Sequence, residues 1–357
     1  MSVFVAEELS EVLNTKVVIG RINMGLLNRI IIDDVLLDDQ SGQEMLKVTR
    51  LSAKFDIMPF FKGKISISSV QLFGFNINLR KETPDSPPNF KFVLDAFASK
   101  DTVKKENSLD LRINSILIRR GRMSYHVLSE EETPGKFNAK HIQLQNIIAN
   151  ISLKALSKDS LNLGIKRLSL DEKASGFSLK KMSLKLVANN KQTNIDNFTI
   201  ELPETSLKLD TIHLEYDSLK AFDRFTEQVH FSFRTLPSQV TLKDISPFVP
   251  ILSHFKEPVT LDMEVKGTVD QLTCSHLEIT ADDRQFRLRG DVSLQDLSRP
   301  QDAYVYGTLS ELSANTRGVG FLVRNLSPNY NGVPPLLERL GLSLIHISEP
   351  TRQAEIS

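Results

Sequence analysis

From Lys64 to Leu79 the chain reads KISISSVQLFGFNINL, with an apolar residue at nearly every second position and polar residues between. A period of two sends alternate side chains to opposite sides of a β-strand, so such a segment folds with one apolar face and one wet face. The texture returns in LDLRINSILI (Leu109 to Ile118), GFSLKKMSLKLVA (Gly176 to Ala188), TSLKLDTIHLEY (Thr205 to Tyr216), VTLDMEVKGTV (Val259 to Val269) and RQFRLRGDVSL (Arg284 to Leu294). No stretch of comparable length reads as a long amphipathic helix. The chain is therefore expected to be mainly β.

Parallel strands need a crossover of a dozen or more residues, usually helical. The connections here read as short turns, among them Asp39-Gln40-Ser41-Gly42, Lys62-Gly63 and Arg120-Gly121, which predicts a mainly antiparallel sheet with consecutive strands paired. Two segments change phase: Ile65 and Ile67 give way to Val70 and Leu72, and Phe177 and Leu179 to Met182, Leu184 and Leu186. A one-residue slip turns every side chain over, so each change predicts a bulge or a tight hairpin. Four short helices are expected: FVAEELSEVLN with Asn14 as its stop, Asn89 to Lys100, one begun by Ser246-Pro247 with Phe248, Ile251, Leu252 and Phe255 inward, and one begun by Pro334-Pro335. Thr83 to Pro88 and Ser129 to Gly135 read as loops too short to separate independent domains.

Composition narrows the partners. The 44 Lys+Arg balance 44 Asp+Glu, so no net basic field draws the surface onto nucleic acid. Apolar surface is built from Ile, Leu, Val and Phe, with 20 Phe, 5 Tyr and no Trp. The single Cys274 excludes an intrachain disulfide framework. No apolar run approaches the roughly 20 residues of a spanning helix.

Residues that carry chemistry do not cluster in the sequence. His126, His141, His213, His230, His254 and His276 are scattered without metal-ligand spacing and read as surface histidines, so no metal and no cofactor is expected. Asp33-Asp34 and Asp38-Asp39 lack EF-hand spacing and read as a solvated edge. Cys274 reads as a small strand residue, Gly318 to Gly320 as a turn, and Arg119, Arg120 and Arg122 as a basic turn or a contact for anionic headgroups. No enzyme is expected.

The first eighty residues carry a family likeness. The helix is followed by a strand at Asn14 to Ile22, by DVLLDDQSG at Asp34 to Gly42, and by GKISISSVQLFG at Gly63 to Gly74. In that order these segments resemble the amino-terminal region of the TamB family, within the AsmA-like group, and the likeness extends in its Bacteroidota form to about Gly341. The resemblance implies a long curled antiparallel sheet, an open groove or gutter, in the periplasm. It implies an inner-membrane anchor preceding Phe4 and an outer-membrane barrel partner of the BamA or TamA type, met through a carboxyl-terminal region. It further implies phospholipid transport to the outer membrane, or assembly of proteins into it. On this reading residues 1-15 form the entering helix, 16-341 the groove, incomplete at its far end, and 342-357 a tail resembling translated sequencing adaptor.

The pattern also supplies a mechanism for lipid. Roughly eighteen strands about 4.8 Å apart make a sheet on the order of 90 Å long. If it curls without closing, its apolar face is a trough in which an acyl chain removes CH₂ groups from water at about 0.8 kcal/mol each. The candidate trough residues are Ile65, Ile67, Leu72, Phe75, Ile77, Leu111, Ile113, Leu184, Leu186, Leu207, Leu209, Leu261 and Met263. The same residues would fill a closed sandwich or barrel, as in a structural or adhesive β-repeat protein of the envelope.

Overall fold

Alternation carries the chain through one sheet of eighteen strands in a computed structural model, which describes residues 2–26, 28–55, 65–98, 109–110, 114–156, 160–281, 285–298 and 303–326. The strands are β1 (Val17–Gly25), β2 (Arg29–Asp38), β3 (Glu44–Phe55), β4 (Ile65–Lys81), β5 (Leu109–Asp110), β6 (Ser115–Val127), β7 (His141–Leu156), β8 (Ser160–Glu172) and β9 (Ser178–Asn189). They continue as β10 (Gln192–Glu201), β11 (Ser206–Lys208), β12 (Ile212–Glu215), β13 (His230–Arg234), β14 (Ser238–Val240), β15 (Val259–Gly267), β16 (Gln271–Ala281), β17 (Phe286–Gln295) and β18 (Tyr304–Ala314). The chain divides into two compact units, Met1–Ala155 with Leu163–Ser183, and Leu156–Asn162 with Leu184–Ser357.

In the first unit β1 to β4 form an antiparallel meander, and β6 and β7 pair antiparallel. Between them the expected antiparallel order fails, because β4 and β6 run parallel, Ser69 beside Ser115 and Lys81 beside Val127. The reason lies in the connection: the segment after Lys81 carries the helix Lys91–Ala98 and serves as the crossover that parallel strands require. Arg120-Gly121 is likewise no turn. It lies inside β6, with Arg120 at φ +57°.

One row of positions interrupts these ladders. Gly20, Asp34, Thr49 and Gly74 drop out of their registers, and the β6–β7 register shifts on both sides of Gly121. Asp34 and Gly74 stand at φ +57° and +64°, which turns a strand over in a single residue. The apolar step therefore lengthens from two residues to three at one level in adjacent strands. Val48 and Leu51, Leu72 and Phe75, and Leu144 and Ile147 all stay in one cluster, centred on buried Val48, Phe75 and Ile147. A second irregularity at Ser68 separates the pairs Lys54–Ser69 and Phe55–Ile67, and this is the bulge expected after Ile67. At the other expected change, β9 continues unbroken from Leu179 to Leu186, so no hairpin forms there.

Short helices cover parts of the apolar face. Helix Ser2–Leu13 lays Ala6 and Leu13 against Val17, Ile19, Leu37 and Met45, joined by Phe92 and Val93 of the crossover helix. Asn14 ends it at φ +48°. In the second unit β15 to β18 are an antiparallel meander, β13 and β14 pair along successive parts of β15, and β11 and β12 along β10. Helix Thr316–Leu326 packs Phe321 and Leu322 on Ala281 and Phe286. It contains Gly318 to Gly320, which the sequence suggested as a turn. The Asn315 side chain accepts from the Gly318 N–H at 3.0 Å and begins the helix there. A Cβ on residue 318 would stand 2.1 Å from the Gln285 carbonyl oxygen. The segment at Ser246 forms a short 3₁₀ turn beginning at Pro250 instead, and Phe248 stays exposed. The helix expected after Pro334 and the tail beyond Leu342 lie outside the described residues.

Gly121 sits so close to Phe75 that a Cβ there would stand 2.4 Å from the ring's Cζ. Gly121→Ala should lower stability by about 1–3 kcal/mol in urea unfolding. Combined with Phe75→Leu, the loss should be smaller than the sum of the two single losses. Strictly additive losses would show that the ring is not the obstacle.

Candidate functional site

The expected trough residues fall into three groups. Phe75 and Leu209 are buried, 7% exposed each. Leu72, Ile77, Leu184, Leu186, Leu207, Leu261 and Met263 are half-buried on their strands. Ile65 and Ile67 stand in β4 with side chains outside the described residues, as are Leu111 and Ile113 altogether. The structure brings Leu72, Phe75 and Ile77 into one cluster, in which Leu72 faces Leu51, Phe75 faces Val48 and Ile77 faces Leu46. In the second unit Leu261 pairs with Ile279, which pairs with Leu288, which pairs with Leu312, an apolar row across four strands. Ile279, Leu288 and Leu312 pack beside the cluster of Ala281, Phe286 and Phe321, the last from helix Thr316–Leu326, and stay half-buried there. Among the described residues, fully buried apolar side chains concentrate where helices lie on the sheet and at the interrupted row.

The other face of the first unit is polar and charged. Phe73 stands between Arg50 on β3 and Arg119 on β6, and the Arg120 guanidinium lies 5.2 Å from the Phe73 ring centre. Arg50 Nε donates to Asp33 Oδ1 at 2.6 Å, and this bond, aided by the charges of Arg50 and Arg21, holds the Asp33 carboxyl below its ordinary value. Thr49, Arg50, Gln71, Phe73 and Arg119 line a groove of about 620 Å³ on this side.

The aspartate pairs are not a solvated edge. Asp33, Asp38 and Asp39 are buried, Asp39 being only 2% exposed, and Asp34 alone is in solvent. The Asp39 carboxylate closes the β2–β3 turn: it accepts from the N–H groups of Ser41 (3.0 Å) and Gln43 (3.1 Å) and from the Ser41 hydroxyl (2.6 Å). Arg80 and Asn89 donate to its second oxygen at 2.7 and 3.2 Å. Glu172 repeats the device in the β8–β9 turn. It accepts from the N–H groups of Gln143, Ala174 and Ser175 and from the Ser175 hydroxyl. Burial pushes both carboxyls up, but these donors outweigh it and hold each below its ordinary value. Each of these donors is a group of the protein itself, so both carboxylates are structural ties.

Cys274 is buried opposite Val265 and Val292, and burial, then the charge of Asp291, pushes its thiol up, which suits a packing residue. The scattered histidines are not all surface groups. His141 is 6% exposed and stands opposite His126 across β6 and β7, an adjacency that spacing in the chain conceals. No helix among the described residues is long and apolar enough to cross a membrane. No family model, curated protein or solved structure matches the chain.

Asp39 and Glu172 bind protons more weakly in the folded chain than in the unfolded one. Their contribution is therefore complete above about pH 5 and is lost as pH falls through and below the ordinary carboxyl range. Denaturant midpoints measured between pH 7 and pH 3 should hold and then fall. Asp39→Asn and Glu172→Gln should each lower stability at pH 7 by about 1–3 kcal/mol and flatten the acid slope. An unchanged slope in the double variant would assign acid sensitivity to other groups.

Proposed function

We propose that the apolar face of the sheet binds acyl chains, and that the protein is a TamB-like lipid conduit or assembly factor of the periplasm, joined to the inner membrane and to an outer-membrane barrel partner. The observation that carries the reading is the apolar row from Leu261 through Ile279 and Leu288 to Leu312, together with half-buried Leu184, Leu186 and Leu207. These side chains are presented by strands that pair side by side, at a spacing of about 4.8 Å. Neighbouring sites of equal apolarity let a chain slide, because each CH₂ gains about 0.8 kcal/mol wherever it lies. The order of motifs from Asn14 to Gly74 supports the family assignment.

The test is to purify the protein from membranes and identify co-purifying lipid by mass spectrometry, beside two variants. Leu261 is half-buried, so Leu261→Arg can reach water with its guanidinium and should fold, with bound phospholipid reduced at least about fivefold. Leu209 is buried, and Leu209→Asp should cost several kcal/mol and lower Tm markedly, which makes it a probe of folding and not of the trough. Wild-type protein without lipid, or folded Leu261→Arg with the wild-type amount, would reject the conduit in favour of a structural β-repeat protein.

A further inference from the structure

The hairpin of β6 and β7 assembles a cluster that the lipid reading does not use. His126 and His141 are direct cross-strand partners, with their Nδ1 atoms 3.0 Å apart and their rings tilted by 52°. Both lie on the face opposite Met123, Tyr125 and Ile142, because strand neighbours alternate. The loop joining the two strands is tied down by bonds within itself and to the β8–β9 turn. The Glu130 N–H donates to the Val127 carbonyl (3.0 Å), the Asn138 side chain donates to the Glu131 carbonyl (3.1 Å), and the Gly135 N–H donates to the Ala174 carbonyl (2.9 Å). This geometry folds the loop back on the pair and sets Glu132 Oε1 3.9 Å from His126 Nδ1. One donor atom from each of His126, Glu132 and His141 then lies within 4.8 Å of the others. Glu132 and His141 face a cavity of about 200 Å³.

The second nitrogen of His141 decides what the cluster is suited to. Nε2 stands 2.9 Å from the Glu130 carbonyl oxygen. A carbonyl only accepts, so Nε2 donates to it, which leaves Nδ1, the atom that faces His126 Nδ1, as the nitrogen whose lone pair can take a metal ion. Imidazoles that ligate metals make the same outer contact: the nitrogen away from the ion donates to a carbonyl or carboxylate, which fixes tautomer and ring orientation. Lys173 also lines the cavity, and two further basic groups nearby are engaged elsewhere. Lys140 pairs with Glu130 at 2.7 Å, and Arg80, beside His126 on β4, pairs with Asp39.

The geometry points to a binding site for a divalent transition-metal ion, zinc by its donor chemistry, held by His126 Nδ1, His141 Nδ1 and the Glu132 carboxylate, with a fourth position open to the cavity for water. Tetrahedral zinc with bonds of about 2.0–2.1 Å separates its donors by about 3.3–3.4 Å. The histidine pair opens by a few tenths of an ångström to meet this, and Glu132, on an exposed side chain, closes by about half an ångström. Binding uses the Nδ1 lone pair of each ring, so the ring proton of each metal-bound imidazole sits on Nε2.

The experiment is a zinc titration of chelator-treated full chain in competition with a chromophoric chelator, followed by cobalt substitution. Expected are one site of micromolar affinity or tighter and the visible absorption of four-coordinate cobalt. Removing a ligand should weaken binding more than the 10–100-fold typical of an outer-contact loss. Glu132→Gln is made on an exposed loop residue and should do so without changing the Tm of the metal-free protein, and His126→Gln should abolish the cobalt band. Failure of wild type to bind one equivalent, or wild-type affinity in folded Glu132→Gln, overturns the site. Should His126→Gln not fold, Glu132→Gln still decides.

Discussion

A sheet one layer deep has a single apolar face to keep out of water, and each strand that joins must present that face at the same level as its neighbours. The interrupted row from Gly20 through Asp34, Thr49 and Gly74 to Gly121 shows how strictly this holds. One strand turning over alone would send half its leucines and isoleucines to the wet side. Adjacent strands turn together instead, and Val48, Phe75 and Ile147 close over the line where they do. The helices, the buried carboxylates and the charged opposite face are all placed by which side of this sheet they occupy.

Much of the fold could be read from period alone, because a half-buried strand writes its two faces directly into the chain. The bulge at Ser68 was visible as the change from Ile67 to Val70, and the stop at Asn14 as a residue that tolerates left-handed backbone. Arg120-Gly121 misled because a residue pair suited to a turn is equally suited to a strand that flips in place. The parallel pairing of β4 with β6 is not written locally, because the crossover helix and the loop before it each have the pattern of an ordinary short element. Taken together, they form a connection of the kind parallel strands demand.

The candidate sites were less legible, since they depend on which strands become neighbours. Asp39 resembled any solvated turn aspartate. Its burial follows from Arg80 and Asn89, which arrive from the far end of β4 and the start of the crossover. His126 and His141 bracket an acidic, proline-containing loop, and that bracketing was the available signal: residues flanking a hairpin loop symmetrically face each other. The trough residues were found as a class, yet alternation cannot separate half-buried Leu261 from buried Leu209.

The parallel pairing has a kinetic consequence. The strands β1 to β4 meet through neighbours in sequence, whereas β6 can join only after the chain has closed a long loop, so its pairing carries the larger entropic barrier. Asp39 sits at the start of that connection in the folded chain. By holding Arg80 and Asn89, it anchors the exit of β4 and the entry to the crossover on a turn that the meander forms by itself. The sequence can thus be threaded in stages, with the early hairpins serving as the template on which the later strand finds its register.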